Sequence, residues 1–124
     1  MITEDYVSYE IAKLLNEKGF DEPCKSVYVD CGDYIDFYYS KEEQTDLQIG
    51  VWEVLRPTHQ MAMKWLREKG VYIGIDTVIS SSGNIYFNID TYSKESGWNH
   101  PVDFYDSYEE AVEAALKYSL KKLI

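Results

Sequence analysis

Bases are scarce in this chain: 12 lysines and arginines stand against 22 acids, a formal charge of −10. The deficit is uneven. Residues 1–50 carry 12 acids against 4 bases, residues 51–75 carry 2 against 4, residues 76–106 carry 5 against 1, and residues 107–124 balance. Phosphate contacts supply essentially all non-specific nucleic-acid affinity, so direct DNA or RNA binding is not expected. A basic partner, or an acidic surface that imitates nucleic acid, is compatible with this balance. Cysteine is limited to Cys24 and Cys31, outside any CxxC pattern and without a histidine cluster, which reads as two reduced thiols and no metal site. No apolar run follows a basic start and none reaches bilayer length, so the expectation is a cytoplasmic protein that does not engage a membrane. Nucleophile elbow, phosphate loop, Rossmann glycines, HExxH and paired-carboxylate spacing are all missing. No catalytic residue or cofactor is therefore named, and a non-enzymatic protein is the expectation.

What the chain does have is clean periodicity. RPTHQMAMKWLREKGVYIGI, residues 56–75, begins with a helix start at Pro57 and Thr58. Met61, Ala62, Trp65 and Leu66 then line one side of the helix, Gly70 stops it, and Val71, Ile73 and Ile75 alternate as a half-buried strand. Upstream, Thr3 is a candidate cap for a helix whose apolar stripe is Val7, Ile11, Leu14 and Leu15, with Gly19 ending it and Phe20 folding back. SVYVD and YIDFYY flank Cys31-Gly32-Asp33 as a hairpin over 26–39, with Ile35, Phe37 and Tyr39 facing inward. Residues 40–46 read as a charged loop, and Leu47, Ile49 and Val51 as a third strand.

After the central helix, SSSGN at 80–84 turns the chain into a strand carrying Ile85, Phe87 and Ile89, and residues 93–106 follow as a long connection. The last helix opens on a capping box, Ser107 with Glu110, and its charges complement the helix dipole. These elements predict a single α+β domain over residues 1–124, in the order α-β-β-β-α-β-β-α. One mainly antiparallel sheet of about five strands carries all three helices on one face. The first five elements repeat the order of a double-stranded-RNA-binding domain. Lys64, Arg67 and Lys69 alone do not supply the basic cluster of such a domain.

PTHQMAMKWLREK at 57–69, with SYEIAKLLNEKGF at 8–20 and SYEEAVEAALKYSLKKLI at 107–124, resembles a family of small proteins of gut bacteria and their phages or prophages. The three blocks cover somewhat under half the chain and span it end to end. The resemblance implies a phage or mobile-element association but no activity, cofactor or catalytic residue. The chain departs from that pattern at Arg56, where alanine is common, and at Ser119, where cysteine is common, so no role is expected of a thiol near the C-terminus.

Two groups of residues are candidates for function. The outward parity of the strands collects Tyr28, Tyr34, Tyr38, Trp52, Tyr72, Tyr86 and Tyr92, interleaved with Asp30, Asp36, Asp76, Asn88 and Asp90. Rigid aromatic area beside carboxylates suits a cationic or peptide partner, whereas tyrosine is also an ordinary strand former. The second group is a candidate ligand loop of Trp98, Asn99 and His100, in which Trp98 reads first as an anchor pinning the loop. His59, in the first turn of the central helix, reads as structural, because no acid or nucleophile accompanies it. The leading expectation is a small accessory or adaptor protein that binds a protein partner through a tyrosine- and aspartate-rich sheet face. The alternatives are an acidic DNA mimic that inhibits a nucleic-acid-binding protein, and a small-molecule binder or enzyme using the Trp98/His100 loop.

Overall fold

The structure, a computed structural model, describes residues 4–124, which divide into two compact units on either side of the Ala62–Met63 peptide bond. It is an α+β structure, but the single sheet expected from the sequence is two three-stranded antiparallel sheets.

In the first unit, α1 (Tyr9–Glu17) starts at Ser8, whose hydroxyl accepts from the Ile11 amide at 3.2 Å. The candidate cap Thr3 lies outside the described residues. At the other end Gly19 adopts φ +90° and the Phe20 amide reaches back to the Leu15 carbonyl at 3.0 Å. That is the glycine-closed helix end expected from the sequence, and it buries Phe20. Three strands follow: β1 (Cys24–Asp30), β2 (Ile35–Gln44) and β3 (Glu53–Leu55), ordered β2-β1-β3, with α1 packed on β3.

Three expectations fail here. The charged segment 40–44 is strand, because β2 resumes its pairing past an irregularity and sets Gln44 opposite Cys24. As an edge strand with both faces largely exposed, β2 has no burial requirement that its charges would violate. Leu47–Trp52 is not a strand, despite its alternation. The Thr45 amide donates to the Gln48 side chain at 2.9 Å and the Gly50 amide to the Glu53 carboxylate at 2.6 Å, so successive short turns consume donors a ladder would use. Leu47 and Val51 are left 97% and 88% exposed. Finally Ile35, Phe37 and Tyr39, expected inward, are all exposed.

The thiols differ sharply. Burial, with Glu43 and Glu22 nearby, pushes the Cys24 thiol up to about 12, and its Sγ donates to the Glu22 carbonyl at 3.3 Å. Cys31 is exposed, and both thiols are free. Only thiolate is nucleophilic. The native protein should therefore take up a single equivalent of maleimide near neutral pH, at Cys31, and the second only after denaturation. Intact-mass and peptide mapping check this, and rapid double labelling would contradict the packing around Cys24.

Helix α2 (His59–Glu68) crosses the division between the units. Its first-turn amide at Met61 donates to the Thr58 hydroxyl at 3.2 Å, as the Pro57-Thr58 start signal predicts. The candidate His59 is buried and its backbone amide donates to the Asp5 carbonyl at 2.8 Å.

Past Gly70, at φ +85°, the second unit forms β4 (Val71–Ile79), β5 (Ile85–Ser93), β6 (Gly97–Asn99) and α3 (Tyr108–Tyr118), which runs on into a π-helical turn, Ser119–Leu123. The stretch 93–106, expected to be a long loop, contains the strand β6 and Tyr105, which bridges back to Phe87 of β5. Ser107 caps α3 through the Glu110 amide at 3.1 Å. Helix α3 packs on β5 and β4, with Ala111 and Ala115 set against Ile89 and surrounded by Ile73, Ile75, Phe87 and Tyr105. The alanines, having only a methyl side chain, allow the helix to approach the sheet closely. Among the described residues no helix is long and apolar enough to cross a membrane.

Candidate functional site

The β4–β5 register decides which residues share a face. Tyr72 pairs with Tyr92, Gly74 with Asp90, Asp76 with Asn88 and Val78 with Tyr86, while Trp98 of β6 pairs with Tyr92. Side chains alternate across a strand, so these residues all lie on the face opposite α3, which packs on the Ile73, Ile75 and Ile89 side. Here the tyrosine parity read from the sequence holds for Tyr72, Tyr86, Tyr92, Asp76, Asn88 and Asp90.

The face has three successive parts. At one end is an aromatic row: Tyr72 and Tyr92 have ring centroids 6.3 Å apart, Tyr92 and Trp98 5.1 Å, and Trp98 stacks on His100 at 5.7 Å and 11°. Trp98, read from the sequence as an anchor for its loop, is 61% exposed and meets the body of the sheet through Tyr92. Asn99 pairs with Thr91 and belongs to the other parity, which separates it from Trp98 and His100.

The middle is polar. His100 Nδ1 lies 2.5 Å from Asp90 Oδ1, and Asp90 faces Gly74, which contributes no side chain. The His100 hydrogen bond holds Asp90 below the ordinary carboxylate range, against the opposing effect of burial. Asp76 hydrogen-bonds to Asp90 and feels its charge, which raises Asp76 above that range. Asn88 Oδ1 is buried without a hydrogen-bond partner. At the far end Val78, Ser80, Tyr86 and Phe104 line an apolar cleft of about 290 Å³, with the Tyr86 and Phe104 rings 6.3 Å apart.

No family model, no curated protein and no solved structure matches this chain. The site stands on its own geometry. An imidazole held by a carboxylate is a general-base arrangement, yet the His100 side chain is 63% exposed and water has free access to it. Among the described residues no group of three or more His, Cys, Asp or Glu is disposed to hold a metal ion.

The first-unit members of the sequence-derived group belong to the other sheet, β2-β1-β3, and its turns. Tyr34 sits in the turn before β2 and Trp52 in the turn before β3, both exposed. Tyr28 pairs with Phe37, whereas Tyr38 pairs with Val27 and Asp36 with Val29, so Tyr28 is on the side opposite Tyr38 and Asp36. Tyr38 is instead tied to Glu53, its hydroxyl donating to Oε2 at 2.5 Å. Burial and that carboxylate push its phenol up to about 12.

Sequence reasoning missed the cluster that Arg56 forms on the Tyr28 side of this sheet. Arg56 places its guanidinium carbon 3.9 Å from the Phe37 centroid and 4.1 Å from that of Tyr6, with Tyr28 at 5.2 Å and Tyr39 at 5.8 Å. Its Nη1 donates to Ser26 Oγ at 3.0 Å and to the Tyr39 hydroxyl at 3.2 Å. Burial alone would lower its pKa, but Tyr28 and Tyr39 outweigh burial and hold it above its ordinary value. These four rings are spread over residues 6–39, and no spacing rule gathers them. Phe104 was missed as well, although an aromatic residue inside the polar stretch SKESGWNHPVDFYD was the available signal.

Proposed function

We propose that this chain is a non-enzymatic binding module that holds a polypeptide partner on the open sheet face of its second unit. The resemblance described above favours an accessory protein of a phage or mobile element. The observation carrying the reading is the row Tyr72, Tyr92, Trp98 and His100 beside Asp90, exposed except at the half-buried Tyr92, on the sheet side that α3 leaves uncovered. Tyrosine and tryptophan offer large contact area at low conformational-entropy cost, and truncating such anchors commonly costs a complex most of its affinity.

The test is selection of peptides from a random library on the native protein, followed by binding to the Tyr72→Ser/Trp98→Ser double variant. Affinity should fall about 30-fold or more, corresponding to roughly 2 kcal/mol or more, while the unfolding midpoint stays nearly unchanged. Selected peptides that bind the double variant as tightly as the native protein would remove this face from consideration.

A further inference from the structure

The face joins two unlike subsites on one sheet surface. In its middle the acceptors outnumber the donors: Asp76 and Asp90 crowd each other, His100 answers one of them, and Asn88 Oδ1 is buried without a donor. Four residues along β5 from Asp90, Tyr86 opens the apolar cleft with Val78 and Phe104. At the rise of an extended strand this separation is about 13 Å.

Resting on the polypeptide-binding reading above, we infer that the partner segment is extended and carries an arginine and, about four residues away, an apolar side chain. The guanidinium seats on the Asp76 and Asp90 carboxylates beside His100, which itself bridges Asp90 and the Trp98 ring, and the apolar group fills the Val78–Tyr86–Phe104 cleft. Charge complementarity selects a cation here, and a second copy of the chain, at −10, is repelled. Arginine fits better than lysine because its planar fork serves two carboxylate oxygens and also stacks on an aromatic face. The chain already uses this chemistry internally, where Arg56 lies against Phe37 and Tyr6. Gly74, paired with Asp90, places no side chain beside that carboxylate.

The probes are short synthetic peptides with arginine and leucine four residues apart, titrated at low ionic strength while the indole and backbone amide resonances are followed. Shifts should centre on Trp98, Asp90, Asp76 and Tyr86. Citrulline in place of arginine, which keeps the shape and removes the charge, should weaken binding about ten-fold, as should Asp90→Asn. Lysine should fall between, and closing the spacing by two residues should lose the Tyr86 and Phe104 shifts while keeping those at Trp98.

Equal binding of the citrulline and arginine peptides, or shifts spread over the acidic first unit, overturns the arginine assignment. If library-selected peptides need Tyr72 and Trp98 but carry no arginine, this inference fails and the binding-face reading survives. If they ignore Tyr72 and Trp98, the reading beneath it fails.

Discussion

Ile89→Ala should destabilise the protein by roughly 2–5 kcal/mol, while Trp98→Ala, on the other side of the same sheet, should change stability by about 0.5 kcal/mol or less. Ile89 is 3% exposed and is held between Ala111 and Ala115 of α3 and the neighbouring Ile73, Ile75 and Phe87 side chains. Truncating it removes the transfer free energy of three carbons and leaves a void. The alanines facing that void have no side chain long enough to fill it. Trp98 is already 61% exposed, and its loss removes only ring contacts to Tyr92 and His100. Denaturant unfolding followed by circular dichroism distinguishes the two. Comparable losses at both positions would mean that the aromatic face is part of the core, and the binding reading would lose its basis.

Arg56→Ala is the second substitution expected to have a large effect, roughly 2–4 kcal/mol. The guanidinium is surrounded by Tyr6, Tyr28, Phe37 and Tyr39 and donates to Ser26 and Tyr39, so its removal empties a space lined by four rings and leaves two hydroxyls without their donor. Arg56→Lys should recover less than half of the loss, because an ammonium group keeps the charge but neither stacks nor forks. Burial first, then the Tyr39 hydroxyl, holds the Tyr6 phenol above its ordinary value. A lysine variant as stable as the native protein would show that charge alone matters at this position.

The legible part of the fold was its punctuation and its amphipathic helices. Gly19 and Gly70 end their helices at positive φ as read, Thr58 and Ser107 cap theirs, and the 71–92 hairpin forms with the expected faces. That hairpin was legible because its apolar parity is covered by a helix, so the alternation has a burial cause. The first unit was not, because in β2 both parities are exposed and alternation there carries no information about facing. Leu47–Trp52 alternates equally well yet curls on side-chain hydrogen bonds that no hydropathy pattern reports. Part of the candidate site followed from parity, namely Tyr72, Tyr86, Tyr92, Asp76, Asn88 and Asp90. Trp98 and His100 were singled out in their loop without the ladder that joins them to it. That ladder depends on β6, a strand of three residues too short to leave a periodic signature.

The second-unit face described above draws every side chain from one continuous length of chain, residues 72–104. Its members meet through a hairpin and one further short strand, so few distant encounters are needed before the surface exists. Such a surface can acquire a new recognition preference by substitution within this one stretch, at the positions whose side chains point away from α3.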